Sequence, residues 1–153
     1  MEIYRIAFIG HRKICGHDRP EETLEALIKE KLCGKEYAEL YVGCNGDFDT
    51  LAAVAAKMVQ KAQGKQNSRL VLIQPYPMKD DPFYEGFFDE VRYPVDWKTN
   101  PKAAITKRNR WMVDHADLLV AFVESDRSGD ASATLEYAKK RGVEIINLAI
   151  QER

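Results

Sequence analysis

Cysteine is scarce: Cys15, Cys33 and Cys44 are the only three in 153 residues. They form neither a CxxC pair nor an even framework, which excludes a disulfide-stapled scaffold and favours reduced thiols. Long apolar runs are missing too. None approaches the ~18 residues of a membrane span. The opening run Ile6–Ile9 is far too short for the apolar core of a signal peptide, so a cytoplasmic protein without membrane association is expected. Charge of one sign is not in excess, since 23 Lys plus Arg against 24 Asp plus Glu leave −1. That balance argues against coating nucleic acid by bulk charge. No internal repeat, no Gly-Lys-Ser/Thr phosphate loop and no Gly-x-Ser-x-Gly elbow occurs. His11, Cys15 and His17 lie close in sequence, but no paired ligands elsewhere complete a zinc site. Neither metal nor cofactor is expected.

What is present is an ordinary globular composition, 45% hydrophobic and 31% charged. A chain of this length buries roughly 68–70% of its unfolded surface, so one domain over residues 1–153 is expected. Five apolar runs read as strands: Tyr4–Ile9, Leu40–Val42 with its flanks, Leu70–Ile73, Leu118–Val123 and Glu144–Leu148. None alternates strictly with polar residues, which suits a parallel sheet covered on both faces. Helical patterns separate them. Pro20-Glu21-Glu22 opens one that carries Leu24, Leu27, Ile28 and Leu32 and stops at Gly34. The others run over Asp49–Gln63, Pro101–Ala116 and Ala131–Arg141, the last closed by Gly142. Strand and helix thus alternate, and a doubly wound α/β sandwich follows. Residues 75–101, rich in proline and aromatics, read as an irregular insertion with room for one short helix. The exposed aromatic run Phe83–Phe88 predicts a homo-oligomer contact.

In such a sheet ligands bind beyond the carboxyl ends of the strands. Gly10-His11-Arg12 follows the first run: glycine for close approach, an always-charged arginine for anions, and a histidine to donate or to exchange protons. Gly43-Cys44-Asn45-Gly46-Asp47-Phe48-Asp49 follows the second. Its glycines suit backbone contacts to an anion, while Asp47 and Asp49 suit either helix capping or a ribose hydroxyl. Ser128-Gly129-Asp130, with Ser132 and Thr134, follows the fourth and suits an anion site or a simple cap. On the helix from Pro101, Ala104, Ile105, Arg108, Met112 and Ala116 share one face. Arg108 therefore interrupts an apolar stripe, where a charge needs a partner or an exit to water. The neighbouring Lys98, Lys102, Lys107 and Arg110 read as a solvated face.

Taken in order, Ile9–Arg12, Tyr41–Asp49, Lys107–Val113 and Ser128–Thr134 with Ala138 resemble the SLOG superfamily of Rossmann-like nucleotide-binding domains, nearest to its YpsA-like bacterial and phage branch. The resemblance implies a five-stranded sheet in the order 3-2-1-4-5, with the first and fourth strands adjacent. It implies a nucleotide or nucleotide-derived ligand, bound as by a sensor or effector module, with Gly10, His11, Arg12, Gly43, Asn45, Gly46, Asp47, Asp49, Arg108, Asn109, Ser128, Gly129 and Thr134 as its contacts. Relatives of the LOG type cleave nucleoside monophosphates at the N-glycosidic bond. Arg108 and Thr134 match that pattern, but Asp130, Ala133 and Tyr137 replace two of its glycines and its catalytic glutamate. Glu136 stands one position early, about 100° around a helix. Binding is therefore the first expectation. Hydrolysis through Arg108 with Asp47, Asp49 or Glu136 is the second, and DprA-like nucleic-acid binding the third.

Overall fold

Neighbours in a strand point to opposite faces, and Ile6, Ala7, Phe8 and Ile9 are all buried. The first strand is therefore covered on both sides. In the computed structural model, which describes residues 2–14, 20–43, 46–63, 67–77 and 86–149, it spans β1 (Ile3–Gly10). Helix α1 (Glu21–Leu32), β2 (Tyr37–Val42), α2 (Asp47–Gln63) and β3 (Ser68–Ile73) follow. After them come β4 (Glu90–Arg92), α3 (Pro101–Asp114), β5 (Leu118–Phe122), α4 (Asp130–Arg141) and β6 (Glu144–Asn147).

The strands form one parallel sheet in the order β4-β3-β2-β1-β5-β6. The alternating side chains feed two cores. Ile6, Phe8, Leu40, Val42 and Leu72 meet Leu24 and Ile28 of α1 and Phe48, Ala52 and Val59 of α2. Ala7, Ile9, Tyr41, Ile73 and Ala121 meet Met112 of α3 and Leu135 of α4. Local chemistry sets the helix ends. Pro101 begins α3 behind Asn100, whose side chain accepts from the Ala103 amide at 3.0 Å. Gly142 ends α4 in the left-handed conformation, φ 75°.

The sheet has six strands rather than the expected five, and its order is extended at the β3 edge. The added strand, β4, lies in the segment read as an irregular insertion. It carries no apolar run, and what seats it is charge. Glu39, 5% exposed on β2, accepts from Arg5 Nε at 3.0 Å, Tyr41 OH at 2.8 Å and Arg92 Nη2 at 2.6 Å. Burial alone would raise the Glu39 carboxyl, yet the bonds from Arg92, Tyr41 and Arg5 hold it below its usual range. Arg92 also pairs with Glu90, which reaches Arg69 on β3 at 3.4 Å. Of the aromatic run, Phe83 and Tyr84 lie outside the described residues, while Phe87 and Phe88 pack against the first core. Among the described residues no helix is long and apolar enough to cross a membrane.

Candidate functional site

The chain steps outward from β1 through β2 and β3 to β4, then returns to place β5 on the other side of β1. Strand order reverses between β1 and β5, and a crevice opens there beyond the carboxyl ends. A cleft of about 320 Å³ occupies that position. The loop after β1 gives it Gly10, His11 and Arg12, β2 ends at Gly43 on its wall, and α2 adds Asp49. Helix α3 contributes Ile105, Arg108, Asn109 and Met112, the loop after β5 contributes Arg127, Ser128 and Gly129, and α4 begins with Asp130 and Ala131 there.

Arg108 is 3% exposed. Its Nη1 donates to the Ile73 carbonyl at the end of β3, at 2.9 Å, and its Nε donates to Asn109 Oδ1 at 2.8 Å. A Cβ added to Gly43 would stand 3.0 Å from Arg108 Nη1 and 3.0 Å from Asp49 Oδ2. Glycine at the end of β2 thus lets a cation from α3 and a carboxylate from α2 approach the same point.

The two loops bordering the crevice are joined. The His11 amide donates to the Phe122 carbonyl at 3.2 Å, and Arg127 Nη1 donates to the Lys13 carbonyl at 2.9 Å. Arg12 faces Asp130 across the mouth at 3.9 Å, both more than half exposed. His11 has a more constrained part than the sequence left open. The Glu124 amide donates to its Nε2 at 2.9 Å, so that nitrogen carries a lone pair and the proton stays on Nδ1. Burial, then the charge of Arg127, pushes the imidazole below its ordinary value of 6.5. The bond and the shift both favour the neutral imidazole, with its proton on Nδ1.

That state has a consequence for stability. Because the folded pKa lies below the unfolded one, the unfolded chain binds the extra proton as pH falls through 6.5. The contribution is complete above that value and is lost on acidification towards the folded pKa. Thermal unfolding between pH 7.5 and 5.5 is expected to show a falling midpoint. His11→Gln, which keeps an acceptor for Glu124, should flatten that slope, and an unchanged slope would refute the assignment.

Other expected contacts lie elsewhere. Gly46 and Asp47 are not in the cleft wall. The Asp47 amide donates to the Arg12 carbonyl at 2.8 Å, the Phe48 amide to the His11 carbonyl at 3.4 Å, and Asp47 Oδ2 accepts from the Ile14 amide at 2.9 Å. The first amides of α2 therefore hold the neighbouring loop and are not left for an anion. Thr134 donates to the Asp130 carbonyl at 2.7 Å and faces a small groove between α3 and α4. Glu136 is exposed and pairs with Lys139 at 3.2 Å. Asn45, Cys15 and His17 lie outside the described residues. At the other rim, Ser128 and Gly129 precede α4, whose N-terminus has no side-chain cap and whose Gly129, at φ 137°, holds a conformation that favours glycine.

Ile105, Met112, Arg127 and Asp130 are among the lining residues outside the expected contacts. The first two share the face of Arg108 and were legible from their spacing. Arg127 carried no such signal, because its place depends on the Lys13 carbonyl 114 residues away.

No protein-family model matches the chain, and a search of curated proteins gives no significant match. Fold and site alone define the class: a Rossmann-like α/β protein with a parallel sheet and a charged cleft at its topological switch point.

Proposed function

We propose that the cleft binds a nucleotide or nucleotide-derived ligand and that the protein acts as a sensor or effector module. One observation carries the reading: a cleft of about 320 Å³ at the switch point is lined by Arg12, Arg108 and Arg127 against Asp49 and Asp130. Volumes of 300 Å³ and upward are typical of small-molecule sites, and three guanidiniums against two carboxylates leave a surplus positive charge for a phosphate. The glycine-bearing loops around it suit close backbone approach.

A second reading, cleavage of a nucleoside monophosphate at its N-glycosidic bond, is favoured by the Asp49 carboxylate beside Arg108 in the same cleft. A carboxylate there would stabilise a cationic ribosyl centre. It is the weaker reading because Glu136 and Asp47, the other carboxylates suited to this task, lie outside the cleft wall.

Proton NMR of the protein mixed with a panel of nucleotides, followed over hours, separates the two. Ligand lines are expected to broaden without new peaks. Free base accumulating with time would replace binding by hydrolysis. Lines unaffected across the panel would overturn both.

A further inference from the structure

We infer that the floor of the cleft reads a ribose diol, through Asp49 and Asn109, and that the anionic end of the ligand stays at the mouth with Arg12. This rests on the nucleotide reading and gives it an orientation and a sugar specificity.

Asn109 supplies the first half of the argument. It is 6% exposed and lines both the cleft and the small groove between α3 and α4. Its Oδ1 accepts from Arg108 Nε, which can only donate, so the orientation of the amide is unambiguous. Its NH2 group has no hydrogen-bond partner among the described residues, and it is not sealed from solvent. A buried side chain thus presents two donors that no described residue satisfies.

Asp49 supplies the second half. Its Oδ2 approaches the same point beside Gly43 as Arg108 Nη1, within the cleft that Asn109 lines. A carboxylate accepts several hydrogen bonds at once, so it serves donors from a ligand alongside its contacts within the protein. Acceptor and donor therefore line the same cleft. A phosphate placed there would be repelled by Asp49. An apolar group would leave the Asn109 amide donors desolvated with no acceptor, which is costly. Vicinal hydroxyls fit both, because each donates to Asp49 and accepts from Asn109.

The mouth differs in kind. Arg108 is held by Ile73 and Asn109 inside the protein. Arg12 is exposed and only loosely paired with Asp130 at 3.9 Å. Exposed pairs of this sort contribute little, so a phosphate exchanges for Asp130 at small cost.

The test compares the 5′-monophosphates of adenosine, guanosine, cytidine and uridine with their 2′-deoxy counterparts by calorimetric titration. The ribonucleotide that binds is expected to be held about 10- to 100-fold more tightly than its deoxy form, the weight of one charge-assisted bond. Asp49→Asn should abolish the difference. Asn109→Asp, which keeps an acceptor for Arg108 and removes the donor, should do the same. Equal binding of the two sugars by the unmodified protein would overturn the inference and leave the nucleotide reading standing. Binding of neither series would overturn both.

Discussion

Replacing Arg108 with alanine is expected to destabilise the fold by about 3–5 kcal/mol, the scale for removing one partner of a buried charged cluster. The sequence alone supports a different outcome, weaker ligand binding with the fold kept. Burial changes the balance. At 3% exposure, Arg108 is the donor for the Ile73 carbonyl and for Asn109 Oδ1, and its loss leaves both acceptors without it. It also removes the cation beside Asp49. The unfolding midpoint should drop by roughly 10 °C for a chain of this size. Arg108→Met separates the causes, because methionine fills most of the space without the charge. If Met restores stability, the loss was a cavity; if it fails as alanine does, the loss was that of the cation and of the donor to the Ile73 carbonyl and Asn109 Oδ1. An alanine variant as stable as the parent would show that Arg108 does not hold β3 to α3.

Much of the fold was legible because it is written in local runs. The absence of polar alternation through Ile6-Ala7-Phe8-Ile9 follows from cores on both faces of β1, and the stripe around Arg108 follows from helical spacing. What could not be read depends on partners far along the chain. Glu90-Val91-Arg92 resembles a loop until Glu39, some fifty positions earlier, gives its arginine a seat. His11 could be an acid, a base or a donor until the Glu124 amide, 113 residues away, takes its Nε2. Asp47 and Thr134 belong to a third group. Their types suited a ligand or a backbone bond equally well, and in both the backbone bond won. Asp47 ties down the loop bearing Arg12, and Thr134 bonds back to the Asp130 carbonyl. Asp49 and Asn109, by contrast, line the cleft.

Gly46→Ala is expected to be the most damaging of the glycine substitutions around the cleft, at about 3 kcal/mol or more, the upper end of the range for overpacking. A Cβ there would stand 2.4 Å from Arg12 Cα and 2.8 Å from Arg12 O. Both are backbone atoms, and the same carbonyl accepts from the Asp47 amide at 2.8 Å, so relief by displacement breaks the bond that fixes the loop. Gly10→Ala makes a useful contrast. Its Cβ would meet the Phe48 ring at 2.3 Å, which is also prohibitive, but a side chain can be trimmed. Phe48→Ala removes Cγ and Cδ2, the two nearest atoms, and keeps Cβ at 2.6 Å, so Gly10→Ala and Phe48→Ala together should cost less than the sum of their separate costs, although the second leaves a cavity in a fully buried site. No side-chain change at position 12 should rescue Gly46→Ala, since the clash begins at Arg12 Cα. Chemical unfolding of the single and paired variants measures both effects. If Arg12→Ala restored the Gly46→Ala variant, the contact would be with the side chain, and the loop could move without loosening α2. If it does not, the loop that carries His11 and Arg12 into the cleft is fixed by backbone packing on α2. Strain at Gly46 would then register at the mouth of the cleft as well as in stability, through the loss of Arg12 from its place opposite Asp130.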